Sequence, residues 1–149
     1  MSDTFTDVRD LYHDIILTRS RAPRHQHALQ PRHAHAAGNN PLCGDQVEVS
    51  LAYAPDGTVA QAAFEARGCA ISVASADLMS ETIHGRTPAE IRTLAADFET
   101  LARTGQAPSS DPALLSLRPL SGVSEYRSRV KCAVLPWTAL LAALDGKSA

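Results

Sequence analysis

Aromatic side chains are scarce in this chain, at 5% of 149 residues, and neither sign of charge dominates: the formal net charge is −2. Both features argue against a dedicated nucleic-acid surface. No apolar run is long enough to span a bilayer. The start, Met1-Ser2-Asp3-Thr4-Phe5-Thr6-Asp7, has no basic stretch followed by an apolar core, so it does not read as a secretory signal. Cysteine is sparse too, and a count of three argues against a closed set of disulfides. The expectation is a soluble globular protein of the cytoplasm, where reducing conditions favour free thiols and metal sites over disulfides. A chain of 149 residues suits one domain, 1–149, burying about two thirds of its unfolded surface.

What is present has clear periodicity. Val8, Leu11, Tyr12, Ile15 and Ile16 fall on one helix face, with Asp3, Thr4 or Thr6 available as caps and Pro23 as a downstream bound. A histidine-rich segment follows, with His25, His27, His33 and His35 in two H-x-H pairs. It closes at Gly38-Asn39-Asn40-Pro41 and reads as mostly loop, with at most a short edge strand. Such tracts can bind metal, but no cysteine lies among them, and a solvated surface loop is the stronger reading. His13 and His84 read as helix-surface residues.

The period then changes to two. Val47, Val49, Leu51 and Tyr53 alternate with Gln46, Glu48 and Ser50. After the Pro55-Asp56-Gly57 turn, Ala60, Ala62, Phe64 and Ala66 alternate again, which makes an antiparallel hairpin. Helical spacing returns with Ile71, Ala74, Leu78 and Thr82, ending near Gly85. Thr87-Pro88-Ala89-Glu90 is a cap, a first-turn proline and a capping-box glutamate, opening a helix that runs to Gly105. A short apolar turn at Leu114-Leu115 precedes a last helix carrying Val130, Ala133, Val134, Trp137, Leu140, Leu141 and Leu144. The layout is α+β: a small antiparallel sheet of about three strands, packed by an N-terminal helix and a C-terminal set of helices.

The three cysteines all fall at breaks between elements: Cys43 before the first clear strand, Cys69 at the start of the helix after the hairpin, and Cys132 near the start of the last helix. A lone cysteine is usually a small buried hydrophobe. Three at element boundaries, with glycine or basic neighbours, point instead to a shared site. With Asp45, two residues from Cys43 across a glycine, they form a donor set suited to tetrahedral zinc. Helix starts favour thiolate at Cys69 and Cys132. Because Pro136 cannot donate to the Cys132 carbonyl, regular helix is expected to begin only about there, leaving Cys132 in a loosened first turn. Three thiolates, a carboxylate and Zn²⁺ leave an excess negative charge that Arg129 and Lys131 are placed to offset. Cys43, on a loop, is the sulfur freest to leave the metal and react.

The ordered set of segments resembles the IscU/NifU N-terminal family of iron–sulfur biogenesis proteins, and most closely its SufU branch. The motifs are Asn39-Asn40-Pro41-Leu42-Cys43-Gly44-Asp45, Gly68-Cys69-Ala70-Ile71-Ser72 with Ala74-Ser75, and Arg129-Val130-Lys131-Cys132-Ala133 with Leu135 and Trp137. Lys131 stands where scaffold members typically carry histidine. The gap between Cys69 and Cys132 holds extra helical material, and the Leu-Pro-Pro-Val-Lys chaperone segment is absent. The resemblance implies a SufE/NifU-like fold and zinc on Cys43, Asp45, Cys69 and Cys132. It also implies a sulfurtransferase role beside a PLP-dependent, SufS-like cysteine desulfurase, with downstream SUF scaffold proteins as recipients. In the family's proposed mechanism, a desulfurase histidine takes the place of Cys43 on zinc, and the freed thiolate attacks the outer persulfide sulfur. The alternative is a scaffold carrying an Fe–S cluster on the same ligands. One departure is Arg19-Ser20, where SufU proteins commonly have a His-Tyr pair.

Overall fold

The computed structural model describes the backbone of residues 4–30, 32–40 and 44–146, and the side chains of those from residue 13 onward. Helix α1 (Thr4–Arg21) leads to strands β1 (Ala34–Asn40), β2 (Asp45–Tyr53) and β3 (Val59–Arg67). Helices α2 (Ala70–Thr82), α3 (Pro88–Thr104) and α4 (Pro112–Leu117), a 3-10 segment (Arg118–Glu125) and helix α5 (Arg127–Leu144) follow. The strands form one antiparallel sheet in the order β1-β2-β3. This is the expected α+β architecture.

Period-two patterning puts Val47, Val49 and Leu51 of β2 into the core, opposite Ala66, Phe64 and Ala62 of β3. At the turn between these strands, the Asp56 carboxylate accepts from both the backbone N–H and the hydroxyl of Thr58 (3.0 and 2.7 Å). The opposite sheet face is covered at one end, where Leu29 packs with Ala52 and Ala63. The free edge of β3 is closed as well. Phe64 N–H donates to the His25 carbonyl and Ala66 N–H to Gln26 Oε1, each at 3.0 Å. An exposed ladder edge invites pairing with another chain, and this segment covers it.

β1 is longer than the sequence suggests. Ala34-His35-Ala36-Ala37-Gly38-Asn39-Asn40 contains no β-branched or aromatic residue, so its own preference for strand is weak. The ladder with β2, from Ala34↔Leu51 to Asn40↔Asp45, imposes the conformation. Small side chains then let α5 cross close to it: a Cβ at Gly38 would lie 3.2 Å from Leu135 Cδ1.

α2 runs through the centre, with every residue from Ile71 to Ser80 buried. That explains its Ala and Ser content, since a helix buried all round has no polar stripe. α3 begins with the predicted capping box, Thr87 accepting from Glu90 N–H and Glu90 accepting from Thr87 N–H. On α5, Trp137 stacks against Phe98 of α3 with ring centroids 4.7 Å apart.

α5 corrects one expectation. It starts at Arg127 and continues through Pro136, so Cys132 lies in its second turn rather than in a loosened first turn.

Candidate metal centre

Asp45 opens β2 and is 1% exposed. Gly68 follows the end of β3 with φ of +115°, and a Cβ there would clash with Asp45 Oδ1. The absence of a side chain therefore lets the carboxylate lie against the backbone. Cys69 N–H donates to Asp45 Oδ1 at 2.8 Å, and the Ser72 hydroxyl lies 3.0 Å from Oδ2.

Cys69 is the N-cap of α2, and its Sγ accepts from Ile71 N–H at 3.4 Å. The helix-start environment expected for Cys69 is therefore present. Cys132 comes from α5, which packs on α2, and it is 6% exposed. The Sγ atoms of Cys69 and Cys132 and a carboxylate oxygen of Asp45 all lie within 4.8 Å of one another. Burial, then the neighbouring Asp45 carboxylate and Cys69, push the Cys132 thiol far above its ordinary range. A divalent cation reverses that preference, because it favours the charged form of each ligand. Two sulfurs and a carboxylate are a donor set that zinc accepts, so these residues fit the metal.

A cleft of about 890 Å³ opens beside the cluster, lined by His13, Leu17, Cys69, Arg129, Lys131 and Cys132 among others. Arg129 and Lys131 are exposed on its rim, and the Arg129 guanidinium lies 4.3 Å from the Tyr126 ring centroid. Cys43 lies outside the described residues, as do the side chains of Val8, Leu11 and Tyr12 and the proposed cap Asp3. The positions flanking Cys43 are described: Asn40 and Asp45 are register partners, and Gly44 N–H donates to the Asn40 carbonyl at 2.8 Å.

The histidine pairs do not join this cluster. His25 Nε2 is 3.3 Å from Glu81 Oε1. His33 accepts from Tyr53 N–H at 2.8 Å and stacks on its ring, and His35 is exposed on β1. Ser72, to which sequence alone assigns no role, touches the site directly. A serine three residues after a helix-start cysteine was the available signal.

The model of the NifU-like N-terminal domain matches residues 11–133. The chain belongs to this family. As a NifU-like N-terminal domain it is 32% identical over 130 residues to the zinc-dependent sulfurtransferase SufU of Bacillus subtilis, covering 87% of this chain and 86% of that protein. It is 34% identical over 134 residues to the iron–sulfur cluster assembly scaffold protein IscU of Thermotoga maritima, covering 90% and 92%. Its similarity to the scaffold protein IscU of Streptococcus pyogenes serotype M1 is 31% over 134 residues, covering 90% and 82%. Among solved structures it resembles SufU of Fervidobacterium islandicum AW-1, described as an iron–sulfur cluster assembly scaffold protein for the SUF system. The TM-score is 0.81 at 29% identity, over 91% of this chain and 98% of that one. The NifU-like N-terminal domain protein of Brucella abortus, at TM-score 0.80 and 24% identity, shares the fold over 93% and 95% of the two chains.

Proposed function

We propose that this chain is a zinc-dependent sulfurtransferase that accepts persulfide sulfur from a PLP-dependent cysteine desulfurase for iron–sulfur cluster assembly in the cytoplasm. The observation that carries this reading is the convergence of Asp45, Cys69 and Cys132 within 4.8 Å, on a strand and two packed helices, with Cys43 two residues from Asp45 in sequence. Zinc is held by Cys43, Asp45, Cys69 and Cys132, and when bound it supplies the charge that keeps the thiols ionised. Cys69 and Cys132 are anchors: one caps α2, and the other sits in the buried face of α5. Two peptide units keep the Cys43 Cα within about 7 Å of that of Asp45, close enough to reach the cluster.

The Cys43 thiolate attacks the outer sulfur of the partner's cysteine persulfide. The donor sulfur–sulfur bond breaks, the donor cysteine departs as its thiolate, and Cys43 carries the new persulfide. Arg129 and Lys131 on the cleft rim favour approach of the anionic persulfide.

The similarity to proteins named scaffold favours a second reading, in which the same thiolates carry an Fe–S cluster that is built and handed on. Two measurements decide between them. Colourless purified protein with about one zinc per chain supports transfer, whereas brown protein with acid-labile sulfide supports the scaffold. In a desulfurase turnover assay, zinc-loaded protein stimulates and zinc-stripped protein does not. Equal stimulation by both forms contradicts the proposal.

A further inference from the structure

Pro136 lies inside α5, four residues after Cys132. A proline nitrogen carries no proton, so the Cys132 carbonyl loses the N–H that normally closes its helical turn. α5 nonetheless continues unbroken. The hydroxyl of Ser72, on the facing helix α2, lies 3.0 Å from that carbonyl oxygen. The same hydroxyl lies 3.0 Å from Asp45 Oδ2, and Ser72 is 0% exposed. One buried oxygen thus touches the carboxylate of one candidate ligand and the backbone of another. It stands in the first turn of the helix capped by the third, Cys69. Its single proton serves one acceptor at a time. Ser75, one turn further along α2, donates to the Ala133 carbonyl. It supports the same stretch of α5 from the same helix.

We infer that Ser72 is a positioning residue for the metal centre, sharing its one proton between the Asp45 carboxylate and the Cys132 carbonyl that Pro136 leaves without a helical N–H, and so keeping both ligands in the arrangement that accepts the ion. The inference rests on Asp45, Cys69 and Cys132 being ligands. Hydrogen bonds that orient a metal ligand typically set about 10–100-fold in affinity. A purely structural hydroxyl, mending α5 alone, would be replaceable by a restored backbone N–H.

Pro136→Ala supplies that N–H, so the test uses the full chain in four forms: wild type, Ser72→Ala, Ser75→Ala and Ser72→Ala/Pro136→Ala. Zinc affinity is measured by competition with a chromophoric chelator, and thermal unfolding is followed on the metal-free protein. Ser72→Ala is expected to weaken zinc binding by about 10–100-fold, while Ser75→Ala loses stability but keeps near wild-type affinity. The double variant regains thermal stability and keeps most of the affinity loss, because Asp45 still lacks its hydroxyl. If Ser72→Ala alone does not fold, the double variant carries the comparison with wild type. Unchanged affinity in Ser72→Ala, an equal loss in Ser75→Ala, or full recovery in the double variant overturns the inference while leaving the ligand assignment standing. A wild-type chain that competes for no zinc overturns both.

Discussion

Gly68 sits where its backbone φ of +115° and the close approach of Asp45 Oδ1 to a hypothetical Cβ both exclude a side chain. Gly68→Ala is therefore expected to cost about 1–3 kcal/mol from backbone conformation alone. Displacement of Asp45 adds to this, so zinc affinity falls as well. Urea unfolding of the metal-free protein and chelator competition check the two effects, and an Ala variant with wild-type values for both contradicts the close approach. Asp77 is the other residue whose role depends on burial. It is 0% exposed, accepts from Arg19 Nη1 and accepts from Arg24 N–H and His25 N–H, all at 2.8 Å. Removing one member of a buried pair costs about 3–5 kcal/mol, the loss expected for Asp77→Ala. Arg103→Ala, which breaks an exposed pair with Glu99, should cost less than about 1 kcal/mol. Urea midpoints for the two variants test the contrast. Asp45 was legible in the sequence because it flanks a glycine beside a cysteine. Asp77 was not, because a charge within an Ala- and Ser-rich helix becomes informative only once the whole helix is known to be buried.

The pairing of α1 with α2 rests on that same cluster. Arg19 donates to Asp77 and in bidentate fashion to Glu81, at 2.6 and 3.0 Å. Burial pushes the Glu81 carboxyl up, but the hydrogen bonds and charge of Arg19, then of His25, outweigh it and hold Glu81 below its ordinary value of 4.5. The Arg86 guanidinium likewise holds Asp111 below 3.8, joining the end of α2 to the start of α4. A carboxyl depressed in the fold contributes stability above its unfolded value, and that contribution is lost as pH falls through the folded one. Stability should therefore drop as pH falls below about 4.5, and Glu81→Gln should flatten the slope there. Urea midpoints across that range check it, and an unaltered slope in Glu81→Gln contradicts the α1–α2 clamp. Elements with strong local signals were legible: the β2–β3 hairpin has period two, and α3 has its capping box and Gly105 stop. β1 and the start of α5 were not. Their conformations come from a partner, the β2 ladder in one case and Ser72 and Ser75 of α2 in the other.

At the scale of the molecule, the sheet and helices bring residues distant in sequence to one place, with Asp45 and Cys132 meeting across the N-terminus of α2. Three of the four expected ligands are adjacent for that reason, and the ordered motifs pointed to them before the fold did. The proposed division of labour rests on where each ligand sits in the chain. Cys69 and Cys132 belong to packed helices, and Cys43 to the connection between β1 and β2. In the proposed transfer, Cys43 takes the sulfur while the other ligands stay in place. Incubating the zinc-loaded protein with a cysteine desulfurase and cysteine, then mapping added sulfur by peptide mass spectrometry, tests it most directly. The prediction is one extra sulfur atom on the Cys43 peptide, lost in Cys43→Ser. Sulfur found on Cys69 or Cys132, or a Cys43→Ser variant that still accepts it, would contradict the account.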